Sequence, residues 1–184
     1  MKTICIYTDG ACSGNQNDVN LGGWGALLEY GEHRREIFGG EKNTTNNRME
    51  MMALLNALKA INKPRQSIAI FSDSAYLMNC FREKWYENWR RNGWKTSNKT
   101  EVENRDLWEA LLQLIDEHNI SFYRVKGHVN LNNPRTNRAS LYRKFIEWNG
   151  SHFTMEDFIS ITEKNNKADA LANEGIKSLK ESLL

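Results

Sequence analysis

Two apolar, β-prone runs, residues 3–8 and 67–71, each lead directly to an aspartate, Asp9 and Asp73, with a long helical pattern between them. That alternation constrains the chain strongly, because buried strands joined through a helix pair in parallel and need helices packed on the sheet. Open sheets of this kind place their sites at the carboxyl ends of such strands, where both aspartates fall. Between them, residues 22–30 and 33–38 flank Gly31-Glu32 as the two arms of a hairpin would. The helix spans about residues 47–62. Met51, Leu54, Leu55, Leu58 and Ile61 repeat at helical spacing, and Pro64 follows its end. Helical patterns recur at 74–91 and 103–118, a strand pattern at 120–125, and a closing helix at about 164–181. Asp9-Gly10 reads as a turn that ends the first strand. The expectation is an α/β fold in a single domain over residues 1–184: five strands in a mixed sheet, an antiparallel meander followed by helical crossovers.

Composition narrows the class. At 184 residues with 40% hydrophobic and 26% charged content, the chain has enough apolar material for one core and is not of disordered type. No segment approaches the apolar length of a membrane span, and residues 1–7 lack the features of a signal peptide. Three cysteines, Cys5, Cys12 and Cys80, at irregular spacing suit reduced thiols in a cytoplasmic protein better than disulfides or zinc.

The chemistry lies in four acids. Asp9 stands in Thr8-Asp9-Gly10-Ala11-Cys12. Glu50 closes Thr44-Thr45-Asn46-Asn47-Arg48-Met49-Glu50, Asp73 sits in Ser72-Asp73-Ser74, and Asp169 in Asn166-Lys167-Ala168-Asp169-Ala170-Leu171-Ala172. Any one of them alone could be a solvated acid or a helix cap. Gathered together, they would raise one another's pKa values unless a cation neutralised them, and carboxylates from separate segments suit a hard divalent ion such as Mg2+. A fifth string, Val125-Lys126-Gly127-His128, follows the last strand and presents an imidazole suited to proton transfer.

In this order and with these neighbours the strings resemble the type 1, bacterial-type ribonuclease H family, over residues 3–128 and about 164–176. The resemblance implies the ribonuclease H-like fold and hydrolysis of the RNA strand of RNA–DNA hybrids, leaving 5′-phosphate and 3′-hydroxyl ends. It implies two Mg2+ ions, replaceable by Mn2+, held by Asp9, Glu50, Asp73 and Asp169, with Asp9 bridging and Asp169 on the hydrolytic ion. His128 would assist proton transfer and product release. A monomer without an obligate protein partner is expected.

Contacts to the hybrid are implied at Cys12, Gly14, Asn15, Asn46, Asn47 and Glu50, around the first two strings, with Thr45 seating a DNA-strand phosphate. A simpler role for 44–47 is capping the long helix, with Asn46 as the cap. Ala75 stands where bacterial members often carry a glutamine that touches RNA. Residues 82–99 hold six basic residues against two acids, with Trp85, Trp89 and Trp94 among them. Basic groups beside aromatic surfaces are how non-specific nucleic-acid binding is built. With Arg90, Arg91 and Lys95 this stretch resembles the family's basic protrusion, a handle for the DNA strand, and Trp108 falls at another family tryptophan.

Residues 130–162 lie between His128 and Asp169, where the family usually has a short loop. Leu141, Phe145 and Trp148 at helical spacing, then the capping-box pattern at Thr154–Asp157, indicate two short helices or a helical hairpin. The plainer reading is a structural elaboration that buries its own aromatics. The sharper one is a second hybrid-contacting arm, for which Arg135, Arg138, Arg143 and Lys144 supply charge. Alternatives to a free-standing hybrid-cutting enzyme are a binding-only module, a DNA nuclease of related fold, and a reverse-transcriptase fragment. The intact carboxylates argue against the first, and the Asn-Asn-Arg-Met-Glu and Val-Lys-Gly-His strings against the second. A chain that starts and ends cleanly argues against the third.

Overall fold

The computed structural model describes residues 2–14 and 19–184. Its strands are β1 (Ile4–Ser13), β2 (Leu21–Tyr30), β3 (His33–Lys42), β4 (Ser67–Ser72) and β5 (Asn119–Arg124). They form one sheet in the order β3-β2-β1-β4-β5, antiparallel across β3-β2-β1 and parallel across β1-β4-β5. The helices are α1 (Asn46–Lys59), α2 (Ala75–Arg82), α3 (Trp85–Arg91), α4 (Arg105–Ile115), α5 (Arg138–Asn149) and α6 (Met155–Ser182). The expected mixed five-stranded α/β architecture is the one observed.

Side chains alternate across a strand, so the central strands feed two cores. Ile6, Ala26, Ile68 and Ile70 face α1, α2 and α4, where Leu54, Leu58, Leu77, Met78, Trp108 and Leu111 fill the space. Their neighbours Tyr7, Leu27, Ala69 and Phe71 face the other way, onto Phe145 of α5 and Phe158, Ile161 and Ala168 of α6. On that second face Tyr7 stacks on Phe71 at 5.0 Å between ring centroids, and Phe71 on Tyr123 at 5.2 Å.

Three local expectations are corrected. The first strand does not stop at Asp9-Gly10. Only its parallel pairing with β4 ends there, at Thr8 opposite Ser72, while pairing with β2 continues to Ser13. Gly10 serves close packing, since a Cβ there would lie 2.5 Å from the Glu50 amide nitrogen and 2.8 Å from the Met49 Cβ. The helical pattern at 74–91 is broken into α2 and α3 by Lys84 in the left-handed region, φ 54°. Phe81 and Trp89 both pack on Trp108, each at 5.3 Å. Eight residues advance a straight helix by roughly 12 Å, so both rings reach one indole only if the chain turns between them.

The third correction concerns the segment after His128. Thr154 does cap a helix, and its reciprocal bonds with Asp157 form a capping box. That helix does not end near residue 162: α6 runs unbroken for 28 residues to Ser182 and carries Asp169 near its middle. The two expected helices of 130–162 are therefore α5 and the opening turns of α6.

Candidate active site

Asp9 lies on β1 just past the end of its parallel pairing, and Asp73 directly follows β4. Glu50 is in the second turn of α1, which crosses β1 at Gly10 and so brings Glu50 beside Asp9. One carboxylate oxygen from each of Asp9, Glu50 and Asp73 lies within 4.8 Å of the other two. The Gly10 amide donates to Asp9 Oδ1 at 2.8 Å.

Burial drives the electrostatics. Desolvation pushes the Asp9 carboxyl up to about 8, with the Asp73 charge adding to it and hydrogen bonding to Glu50 opposing it. Glu50 is raised by burial first and then by the charges of Asp9 and Asp73. Asp73 is also raised by burial, against which hydrogen bonding to Asp9 and the charge of His128 act. Glu50 Oε2 is buried without a hydrogen-bond partner. An all-oxygen donor set, an orphaned carboxylate oxygen and three acids held above their usual range fit a hard divalent cation, which would remove the mutual repulsion.

Asp169 enters from α6. Gly23 and Gly25 of β2 admit this helix to the sheet: a Cβ on Gly23 would stand 2.0 Å from the Ala172 carbonyl oxygen, and one on Gly25 2.6 Å from that of Ala168. Gly175 meets the Gly39 carbonyl in the same way. With Ala168 and Ala172 fully buried against the sheet, Asp169 turns its carboxyl toward Asp9 and adds to the rise of its pKa.

His128 Nδ1 stands 3.9 Å from Asp169 Oδ2, its side chain 77% exposed. Its loop is pinned by buried Val125, Val129 and Leu131, and Asn166 of α6 donates to the Val129 carbonyl at 2.8 Å. Of the five residues expected at the centre, Asp9, Glu50 and Asp73 lie closely together, and Asp169 and His128 stand 3.9 Å from each other beside them.

The expected hybrid contacts divide. Cys12 lies on β1 half-buried, Gly14 is exposed just beyond it, and Asn15 lies outside the described residues. Thr45, rather than Asn46, caps α1 by accepting from the Arg48 amide, and Asn46 and Asn47 are exposed in its first turn. Arg90, Arg91 and Lys95 are exposed. The tryptophans behave differently. Trp108 is wholly buried and Trp94 is 8% exposed, so both are core supports of the protrusion and not surfaces for a base or sugar. Trp85 and Trp89 are half-buried and pack on the same core.

One positioning residue was missed. Arg48 bonds Glu41 of β3 through Nε at 3.0 Å and forks onto Asp106 of α4 at 3.2 and 3.3 Å, locking the turn that carries Glu50. Its signal was its place in the Asn-Asn-Arg-Met-Glu string, two residues before the acid. The glycines that seat α6 had no such signal, since in sequence they resemble strand breakers.

The mixed sheet and its carboxylate centre define a nuclease of the hydrolase class. The family model for RNase H matches residues 1–140. A ribonuclease H of Acetivibrio thermocellus is 56% identical over 128 residues, covering 70% of this chain and 84% of that one. Among solved structures, LC9-RNase H1, a type 1 RNase H with the type 2 active-site motif, matches with a TM-score of 0.69 at 24% identity, over 96% of this chain and 73% of that one. LC11-RNase H1 in complex with RNA/DNA hybrid matches at 0.55 and 18%, over 96% and 98%. The two structural likenesses carry the fold. The chain belongs to the ribonuclease H family, as a type 1 member. No helix among the described residues is long and apolar enough to cross a membrane.

Proposed function

We propose that the protein hydrolyses the RNA strand of RNA–DNA hybrids endonucleolytically, leaving 5′-phosphate and 3′-hydroxyl ends. The observation that carries this reading is the convergence of Asp9, Glu50 and Asp73 from three separate elements, in a chain of the ribonuclease H family. Asp9, Glu50, Asp73 and Asp169 would hold two Mg2+ ions, with Mn2+ able to substitute. When bound, such ions lower the pKa of a water and offset charge on the phosphate and the leaving oxygen.

The chain's own residues do the rest. Asp9 and Asp73 fix where the phosphate is received, with the Glu50 carboxylate beside them. His128, exposed and close to Asp169, moves a proton between the centre and solvent and aids release of the product. Contacts to the RNA strand are proposed for Cys12, Gly14, Asn46, Asn47 and Glu50, and for Asn15, which lies outside the described residues, with Thr45 receiving a DNA phosphate. Arg90, Arg91 and Lys95 hold the DNA strand on the protrusion, which the tryptophans keep rigid. Residues 1–184 work as one domain, since both cores share a sheet, with 130–162 as a helical insert. The protein acts as a monomer in the cytoplasm, in keeping with its three unpaired cysteines.

An end-labelled RNA–DNA hybrid incubated with Mg2+ tests this, beside double-stranded RNA, double-stranded DNA and Asp73→Asn protein. Cutting confined to the hybrid's RNA strand, and lost with EDTA and in the variant, is expected. Hybrid binding without cleavage in Mg2+ or Mn2+ would instead make the protein a binding module.

A further inference from the structure

A groove of about 750 Å3 opens at Asp73 and runs between residues 124–127 and α5. Its walls carry four cations, Arg124, Lys126, Arg143 and Lys144, against two acids, Asp73 at its mouth and Glu147. No ion pair among the described residues uses any of the four. That contrasts with the protrusion, where Arg90 and Arg91 each have a carboxylate at 4.0 and 3.9 Å.

Two of the cations, Arg124 and Lys144, are held against one ring without being neutralised. The Arg124 guanidinium lies 4.1 Å from the centroid of the Trp148 ring, and the Lys144 ammonium 5.6 Å from the same ring. Arg124 Nε is buried with no hydrogen-bond partner. Asn149, at the end of α5, accepts from the Arg124 amide at 2.9 Å and donates to its carbonyl at 2.8 Å, which fastens α5 to the end of β5. Phe145 of the same helix is buried in the core beneath. The groove is therefore a rigid, positively charged wall beginning at a residue of the carboxylate centre. A row of cations without carboxylate partners suits a chain of phosphates, whose oxygens accept charge-assisted bonds and whose counterions are released on contact.

We propose that this groove binds the phosphodiester backbone of the strand being cut and leads it away from Asp73 along α5. The inference rests on the hybrid-cleaving function and adds a contact surface to which Arg143, Lys144 and Trp148 contribute from beyond residue 140, where the family match ends. The elaboration then does both things at once: one face of α5 completes a core, and the other handles substrate.

Binding in EDTA, where no cutting occurs, tests it. Arg143 and Lys144 are exposed, so Arg143→Gln/Lys144→Gln protein should melt as the wild type does. Its affinity for an end-labelled hybrid should fall about tenfold at moderate salt, and the slope of log Kd against log salt should drop by about 1.8, as expected for two lost phosphate contacts. Arg143→Lys alone should retain the wild-type slope. Unchanged affinity, or weaker binding with an unchanged slope, would overturn the proposal. If the wild type cuts hybrid while the double variant matches it in affinity and slope, only the groove assignment fails. A wild type that neither binds nor cuts hybrid would remove the function and the groove together.

Discussion

Gly127 lies so close to Asp73 that a Cβ at position 127 would stand 2.2 Å from Asp73 Oδ2 and 3.0 Å from Cγ. The glycine of the Val-Lys-Gly-His string thus lets the loop bearing His128 close against a carboxylate of the centre.

Gly127→Ala should therefore separate activity from stability. The atom in the way is the end of a side chain that can rotate, so the melting temperature should change little. The carboxylate must leave its position, and a misplacement near 1 Å costs on the order of 100-fold in rate. Steady-state cleavage beside a thermal melt checks this, and full activity would show that Asp73 tolerates displacement.

Metal-free protein should lose stability as pH rises through the range where Asp9 titrates. Its carboxyl stands near 8 in the folded protein and about 3.9 in an unfolded chain, so between those values only the folded state holds the proton. The stability that this preference supplies is fully present below the lower value and is lost as pH climbs to the upper one. Asp9→Asn should thus exceed the wild type in EDTA melts at pH 8–9, with the advantage shrinking toward pH 4. A difference constant across pH would contradict the assignment of burial as its cause.

Gly23→Ala should be far more costly than a glycine change in an ordinary strand. The added methyl would meet the Ala172 carbonyl oxygen, a backbone atom that cannot rotate aside. Overpacking of this kind costs about 1–3 kcal/mol. Because α6 must lift to relieve it, Asp169 moves as well. Urea unfolding and cleavage should both report a loss, and a variant as active as the wild type would show that α6 has another way to sit.

Trp108 and Lys95 should fail in different ways. Trp108→Ala opens a cavity in the core and should cost about 3–5 kcal/mol in stability. Lys95→Ala removes an exposed charge, so its melt should stay put while the salt slope of hybrid binding falls by about 0.9. Equal effects of both on binding, at unchanged stability, would return Trp108 to the contact surface.

The buried face of α5 also bears on replacing residues 132–161 with a flexible linker. That change would remove Phe145 and Phe158 from the core that also holds Tyr7 and Phe71, and burial of each such ring contributes about 1.5–3 kcal/mol. Such a variant would report on folding, which is why charge substitutions on the exposed face of α5 are the sharper instrument.

Much of this was legible in the residues alone. The strand runs before Asp9 and Asp73, the period of α1 and the capping box at Thr154 are local signals, carried by side chains within a few positions of one another. Each of the four carboxylates is likewise marked by its immediate neighbours in the sequence. What tertiary structure decided is non-local. Asp9-Gly10 has turn chemistry, yet β2 pairs across it and α1 crosses over it, so the strand continues. Residues 74–91 have one helix's pattern, yet Phe81 and Trp89 must reach the same Trp108, so the chain turns at Lys84. The pattern after Thr154 gave no sign that one helix would run on to Asp169, nor the glycines of β2 that they were its seat. Local sequence reports which conformations a segment prefers. Which surfaces approach within a van der Waals contact depends on residues far along the chain, and that approach is what brings Asp169 to Asp9 and buries Trp108.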